Sequence, residues 1–320
     1  MAKQAVLLLA HGTPESVEQI PEYLLNVTGG RQLPQAVIEE IEHRYSLIGH
    51  SPLTEITLEQ GRLVQAELAA GGQPLPVYVA MRNWRPTIPD VVRQMRADGV
   101  EEAAVICMAP QNSRTSVGLY RCAVEAESAG LRIDFTEAWA QHPLLIEAFA
   151  ERLRPAHGKL SAEAGYAVPV LFTAHSVPCR TIQTPSAETS AAPDPYAEEA
   201  KRTAALVAAR VAEIPSWTFA FQSQGVSGGP WIGPTVEQTL DALAAEGVRA
   251  LLLQPIGFLC DHVEILYDVD ILFRGYAAKL GIRLERPESL NASPTLARAV
   301  ADLARRGLAR LQSGVSGNGS

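Results

Sequence analysis

Two short segments carry the residues best suited to metal and proton chemistry. His175 ends an apolar run and precedes Ser-Val-Pro, while Asp261-His262-Val263-Glu264 opens a helical stretch that continues through Asp268. A neutral imidazole can accept a proton or bind a metal ion. Because Glu264 and Asp268 are four residues apart, a helix places both carboxylates on one face, where they can pass a divalent cation along. These residue types predict a site for metal and proton transfer.

Glu264 also has a purely structural interpretation. Asp261 at a helix N-cap, with Glu264 three positions later, matches a capping box, in which the glutamate bonds to backbone and needs no metal. His262 points away from the row formed by Glu264 and Asp268, so we expect it to support the site rather than to bind metal. The residues alone leave both interpretations of Glu264 open.

The elements that must position these residues occur twice. Residues 86–100 and 234–248 align without a gap, and both begin with Pro-Thr and end with Gly-Val. A shorter repeat joins residues 6–14 to 170–178, each an apolar run that ends in Ala-His and is followed, three residues after the His, by Pro. The repeats indicate two similar lobes built from the same strand and helix units.

Apolar runs such as AVLLLA and VPVLF are typical of strands buried on both faces. Strands that alternate with helices predict an α/β fold of two similar Rossmann-like lobes with parallel sheets. We place the lobes at 1–155 and 156–312, with the last helix packing back on the first lobe, because Pro155 and nearby glycines interrupt the helical pattern around 154–165. The tail 313–320 is predicted to be disordered, and 181–195 is a loop or lid.

Both Ala-His motifs fall at strand carboxyl ends, where such folds bind ligands. His11 and His175 are therefore predicted to line opposite walls of a cleft between the lobes. Trp231 lies in the loop Pro-Trp-Ile-Gly-Pro and suits a flat apolar ligand. Five arginines in or near first-lobe loops are candidates for binding ligand carboxylates. They are Arg31, Arg44, Arg82, Arg85 and Arg114.

Composition limits the classes of partner. The net charge of −8 argues against non-specific nucleic-acid binding, which needs a basic surface. The apolar run at 5–10 is too short for a signal peptide, and no stretch reaches the roughly 18 apolar residues of a spanning helix. We therefore expect a cytoplasmic protein with at most peripheral membrane contact. The four cysteines form no CxxC pair, which indicates reduced thiols without a zinc or cluster motif.

Three segments, VLFTAHSVP, QSQGVSGGPWIGP and QPIGFLCDHVEILYDVDI, resemble the hallmark segments of ferrochelatases. LLLAHGTPES, HRYSLIGHSPLTEIT and MAPQNSRTSVGLY in the first lobe agree, so the resemblance spans about Val6 to Ala301. It implies the two-lobed class II chelatase fold with the active-site cleft between the lobes. It also implies a lyase that inserts Fe²⁺ into a porphyrin during haem biosynthesis.

The resemblance also implies roles for single residues. His175 and Glu264 match the family's paired metal-insertion residues, as proton acceptor and metal ligands, and Asp268 matches the next acidic residue on the helix. The third acidic position is Leu272 here, which shortens the row. His11 falls on the other face of the macrocycle, where relatives commonly carry Tyr or Met. The remaining matches are expected to bind the porphyrin: Arg31, Arg44, Tyr45, Ser51, Tyr120 and Trp231.

From these matches we expect Fe²⁺ and porphyrin as substrates and no tightly bound cofactor. No iron–sulfur cluster is expected either, because no cysteine cluster follows the last helix. Coproporphyrin III is favoured over protoporphyrin IX, and the chain is expected to be a monomer with transient contacts to other haem-pathway enzymes. The mirrored motif suggests the hypothesis that His11 binds the product iron opposite His175; the alternative is that it hydrogen-bonds a loop. A cobalt or nickel chelatase and a non-enzymatic haem or metal carrier are the other functions considered.

Overall fold

The computed structural model describes residues 2–183, 194–224 and 229–314. Most of the predicted 181–195 loop and of the predicted tail lies outside these residues. The described strands form two four-stranded sheets in which every neighbouring pair is parallel. The first, in the order β2-β1-β3-β4, contains β1 (Gln4–Ala10), β2 (Val77–Met81), β3 (Glu102–Cys107) and β4 (Arg132–Thr136). The second, in the order β6-β5-β7-β8, contains β5 (Val170–His175), β6 (Trp217–Gln222), β7 (Ala250–Pro255) and β8 (Arg283–Glu285).

Helices cover the faces of both sheets. In chain order they are α1 (Ile20–Val27), α2 (Gln35–Ile48), α3 (Leu53–Ala70), α4 (Ile88–Ala97), α5 (Val117–Glu125), α6 (Pro143–Ala164), α7 (Cys179–Gln183), α8 (Tyr196–Ala208), α9 (Val236–Ala245), α10 (Val263–Leu266), α11 (Arg274–Lys279) and α12 (Pro294–Ser313). A 3₁₀ turn at Val17–Gln19 precedes α1, and a π-helical segment at Asp268–Phe273 joins α10 to α11.

The repeat seen in the sequence is a repeat in the structure. Helices α4 and α9 begin and end at equivalent positions of the two 15-residue segments. Each is followed by the strand that stands third in the order of its sheet, β3 after α4 and β7 after α9. Their N-caps match as well: Thr87 Oγ1 accepts from the N–H of Asp90, and Thr235 Oγ1 from that of Gln238. The two sheets share one strand order, so the prediction of two similar α/β lobes is confirmed.

The hydrophobic core is continuous between the two lobes. One apolar cluster contains Leu8 of the first sheet, Phe172 of the second, and residues of α6 and α12. We expected an interruption of the helical pattern near Pro155, and this expectation was wrong, since α6 continues through it. Proline removes one N–H donor from a helix, and the burial of neighbours such as Leu153 and Leu160 holds this helix together. The predicted lobe boundary therefore falls within a helix.

The last helix lies on the first lobe. Helix α12 packs against α3, α6, β3 and β4, and its Arg310 forms two hydrogen bonds of 2.8 and 2.6 Å with the buried carboxylate of Asp134. Gly307 makes this close approach possible, because a Cβ there would lie 2.9 Å from Asp134 Oδ1 and 3.1 Å from Ala104 Cβ. The helix thus ties the two lobes together at a site away from the cleft.

We predict that Gly307→Ala lowers the free energy of unfolding by about 1–3 kcal/mol, the usual cost of overpacking. The added methyl would displace Asp134 and disturb its pair with Arg310. Gly158→Ala is the control, because Gly158 lies in α6 with no atom within 4 Å of an added Cβ. It should stabilise the protein by about 0.5–1 kcal/mol through helix propensity alone. Denaturant unfolding measures both, and equal effects of the two variants would contradict the packing argument.

Candidate active site

A cavity of about 350 Å³ opens between the lobes at the carboxyl ends of both sheets. His11 follows β1 on one wall, and His175 ends β5 on the other, as the mirrored motifs indicated. Most of the predicted site residues line this cavity: His11, Tyr45, Ser51, Tyr120, His175, Trp231 and Glu264. The structure thus brings together residues separated by more than half of the chain.

The side chains of His175 and Glu264 face each other at the wall of the cavity. The two side chains approach to 3.3 Å between Nε2 and Oε1, and 33% and 31% of them remain exposed, so a ligand in the cavity can reach both. His175 Nδ1 donates to the Ser176 carbonyl, which leaves Nε2 as the nitrogen directed at Glu264. The Tyr196 hydroxyl donates to the His175 carbonyl at 3.0 Å and so fixes the end of the strand.

Glu264 does not act as a helix cap. The N-cap of α10 is His262, which makes no side-chain capping bond, and Asp261 instead bonds to Ser289 and Asn291. The Glu264 carboxylate lies between His175 and His262, with His262 Nε2 3.6 Å from Oε2. The capping-box interpretation is therefore wrong, because the backbone enters α10 one residue later than that motif requires.

Charge interactions overcome burial at the His175–Glu264 pair. Burial by itself lowers the pKa of His175, but the neighbouring Glu264 carboxylate raises it above its ordinary value of 6.5. Burial likewise raises the pKa of Glu264, yet His175 and His262 hold it well below the usual range for a carboxyl group. Each side chain thus stabilises the charged form of the other.

Asp268 lies behind this pair at the start of the π-helical segment. Its buried carboxylate accepts a hydrogen bond from the Ser223 hydroxyl and lies 3.8 Å from Nη1 of Arg44. Burial, followed by the charge of Glu264, raises the pKa of Asp268 to about 6. Asp268 does not itself line the cavity, so it can meet a cation only from behind Glu264.

Two arginines predicted to bind porphyrin lie outside the cavity lining. Arg31 is exposed in the loop after α1. Arg44 donates to Glu40 at 3.0 Å and stacks 5.2 Å from the Tyr267 ring centroid, so it bridges α2 of the first lobe to the second lobe. Arg82 is the cavity-lining arginine among the five candidates, and its guanidinium stacks 4.9 Å from the Tyr120 ring centroid.

Comparison with known proteins agrees with this geometry. The family model described as ferrochelatase matches residues 3–308. The chain belongs to the ferrochelatase family. The family predicted from the motifs is therefore confirmed, and with it an enzyme class that inserts metal into porphyrins.

Individual family members extend this comparison. The chain is 60% identical to a ferrochelatase of Acidobacterium capsulatum over 317 residues, which cover 97% of this chain and 96% of that one. It is 36% identical to a coproporphyrin III ferrochelatase of Mycolicibacterium vanbaalenii, covering 95% and 89% of the two chains. The solved cobalt complex of the sirohydrochlorin chelatase SirB from Bacillus subtilis subspecies spizizenii shares the fold, with a TM-score of 0.56 and 10% identity over 99% of this chain and 100% of that one.

Within this ferrochelatase fold, His11 makes hydrogen bonds through both ring nitrogens. Nε2 accepts from Asn83 Nδ2 at 2.9 Å, while Nδ1 donates to the Gly12 carbonyl at 3.1 Å and lies equally close to the Tyr23 hydroxyl. Burial, followed by the charge of Arg82, lowers the pKa of His11 to about 4, so the ring is neutral. An occupied Nε2 favours the loop-bonding interpretation over iron ligation.

The site of this family member also contains residues that no motif indicated. Tyr23 reaches the cavity from α1 and Tyr196 from α8, and both sit in ordinary helical sequence. Within the described ranges, no group of three or more His, Cys, Asp or Glu side chains is arranged to hold a metal ion. The helices that the structure describes include none with the length and apolarity needed to cross a bilayer.

We predict that His175 titrates above pH 6.5 without added metal, and that Glu264→Gln shifts this titration to lower pH. Glu264 stabilises the imidazolium, so its removal leaves burial as the dominant influence, which lowers the pKa of His175. NMR of the imidazole C–H resonances measures both values. An unchanged His175 titration in the variant would contradict the assigned coupling.

Proposed function

We propose that this member of the ferrochelatase family inserts Fe²⁺ into a porphyrin in haem biosynthesis. His175 accepts pyrrole protons and contacts the metal, and Glu264 receives the metal ion. The observation that carries the proposal is the 3.3 Å contact between His175 Nε2 and Glu264 Oε1 inside the cleft. Fe²⁺ and the porphyrin are substrates, and the proposal needs no iron–sulfur cluster and no other bound cofactor.

Proton transfer follows from the state of the pair. Insertion releases two pyrrole protons, and a base must take each of them. In the absence of metal, the Glu264 carboxylate raises the pKa of His175 and so favours a proton on Nε2. A cation that arrives at Glu264 repels this proton and removes the attraction that holds it. Metal arrival therefore sends this proton to solvent through the open cleft. The freed Nε2 then accepts the two pyrrole protons one after the other and passes the first to solvent before it takes the second.

The carboxylates supply a short route for the cation. Glu264 lies at the cavity wall, and Asp268 lies behind it with a pKa of about 6, so Asp268 is mostly ionised near neutral pH. Oxygen ligands suit hydrated divalent cations, which must shed water before insertion. Leu272, exposed one turn further on, cannot extend the row. The proposed route therefore has two carboxylates rather than three.

The cavity offers separate groups for porphyrin carboxylates. Nε of Arg82 is buried and has no hydrogen-bond partner among the described residues. Ser51 Oγ also lines the cavity and is buried without a partner in the described ranges, just before α3, where free N–H groups and the helix dipole favour an anion. Buried polar groups without partners are costly, and a carboxylate would satisfy them.

These groups support coproporphyrin III as the favoured substrate. Coproporphyrin has four carboxylates and protoporphyrin has two, so a cavity lined by two polar groups without partners in the described part of the chain, Arg82 Nε and Ser51 Oγ, suits the former. Relatives named coproporphyrin III ferrochelatase, at 36% identity or below, support the same choice. The 60% identical relative carries the general name ferrochelatase, so the choice of porphyrin belongs to this proposal.

We predict that His175→Ala reduces metal insertion by a factor on the order of 10²–10⁴, the usual contribution of a positioned general base. Zinc insertion monitored by porphyrin fluorescence measures the rate, while quenching without metal measures porphyrin binding, which should persist. His157→Ala is the control, because His157 is buried in α6 and hydrogen-bonds the Val168 carbonyl away from the cleft. Near-normal insertion by His175→Ala would sink the assignment. Binding without any turnover by the wild-type protein would instead favour a carrier.

We predict that kcat/KM is higher for coproporphyrin III than for protoporphyrin IX, and that Arg82→Met reduces this preference. Loss of one charge-assisted bond costs about 1.5–3 kcal/mol, which corresponds to roughly ten- to a hundredfold in affinity. Arg85→Met is the matched control, since Arg85 lies on the same loop, pairs with Glu22 and does not line the cavity. Equal kcat/KM values for the two porphyrins would contradict the substrate choice.

A further inference from the structure

A buried arginine stands behind the metal-binding segment. Arg286 follows β8, and only 12% of its side chain is exposed. Its guanidinium makes two parallel hydrogen bonds of 2.8 Å with Asp270 in the π-helical segment. The same Nη2 lies 3.1 Å from Oδ1 of Asp261, just before α10. One side chain thus holds both ends of the segment that carries Glu264 and Asp268.

Asp261 is further fixed by the chain that follows Arg286. Its Oδ1 accepts from the Ser289 hydroxyl at 2.7 Å, and its Oδ2 accepts from Asn291 Nδ2 at 2.8 Å. The Asp261 N–H in turn donates to Asn291 Oδ1 at 2.8 Å. Asn291 has a φ of +43°, a conformation that asparagine tolerates better than most residues. The turn before α10 is therefore held by the segment 286–291.

This segment is also attached to the first lobe. Gln60 of α3, itself buried, donates to the Asn291 carbonyl at 2.9 Å. Between Asp261 and Asp270 in the chain, Ile265 packs into the second-lobe core and Val263 packs against the first-lobe cluster around Tyr45. The backbone that carries Glu264 therefore has its position set by both lobes and by Arg286 together.

We propose that Arg286 is a positioning residue for metal insertion, which sets the placement of Glu264 and Asp268 relative to His175. This inference rests on the proposed function. A planar guanidinium suits the role, because its fixed fork binds Asp270 through two nitrogens while one of them also reaches Asp261. Arg286 also neutralises the carboxylates of Asp261 and Asp270. Without it they would add negative charge near the proposed path through Glu264 and Asp268 and compete for the cation.

The test compares Arg286→Gln with Arg310→Gln. Both variants remove an arginine that makes a bidentate pair with an aspartate, but the Arg310–Asp134 pair joins α12 to β4 away from the cleft. The readouts are KM for Zn²⁺ and Fe²⁺ at saturating coproporphyrin III, the porphyrin Kd without metal, and the melting temperature. Arg286→Gln should raise the metal KM by about tenfold or more, as loss of an outer-shell partner does at metal sites, and leave the porphyrin Kd unchanged. Arg310→Gln should keep the wild-type metal KM even if its melting temperature falls.

Conservative variants separate positioning from folding. Arg286→Lys keeps the charge without the fork and should give a metal KM between those of wild type and Arg286→Gln. Ser289→Ala removes one bond to Asp261 and should raise the metal KM by a few-fold, which tests the proposal even if Arg286→Gln does not fold. A metal KM in Arg286→Gln equal to that of Arg310→Gln, or parallel changes in metal KM and porphyrin Kd, would overturn the proposal. If the wild-type protein inserts no metal, the proposed function fails instead.

Discussion

The structure of the cleft depends on keeping the Glu264 carboxylate charged although most of its side chain is withdrawn from solvent. Burial opposes the ionised form of Glu264, and His175 and His262 on either side reverse that effect. His175 ends β5 and Glu264 lies at the start of α10, and their side chains approach to 3.3 Å. The second lobe must therefore hold the end of β5 and the start of α10 in fixed relative positions. Gln222 of β6 helps to do this, because it accepts from the Thr173 hydroxyl and donates to the Glu264 carbonyl.

The two similar lobes carry histidines in equivalent places whose pKa values shift in opposite directions. His11 follows the first strand of its lobe, His175 ends the first strand of its own, and both bond to a nearby carbonyl through Nδ1. Arg82 and burial lower the pKa of His11, whereas Glu264 raises that of His175. The fold thus supplies the positions, and the charged neighbours decide which histidine favours the protonated form. The neutral His11, bonded to Asn83, is a polar part of the cavity wall.

The sequence predicted the features that depend on local patterns. Buried strands, the repeated helices and the placement of His11 and His175 at strand ends all follow from periodicity and topology. Predictions from the sequence were wrong where packing against distant parts of the chain decides the local structure. Pro155 reads as a break, yet α6 continues because its buried face is held by both lobes. Asp261 matches a capping motif, yet contacts from residues about 30 positions later turn it away from the helix. The porphyrin-binding role of Arg44 stays a prediction; the structure shows its contacts with Glu40 of its own helix and with Asp268 and Tyr267 of the second lobe.

The proposed metal site consists of two side chains rather than a closed cage, and this suits an ion that must leave. Structural metal sites commonly close the coordination sphere with four protein ligands. Within the described residues no such group exists, and His175 and Glu264 leave the rest of the sphere to water or porphyrin nitrogens. A closed site would hold the cation more tightly and raise the barrier to its transfer, since only interactions stronger in the transition state than in the bound state speed the reaction. Weak ligation demands accurate placement, and this is the role proposed for Arg286 through its contacts with Asp261 and Asp270.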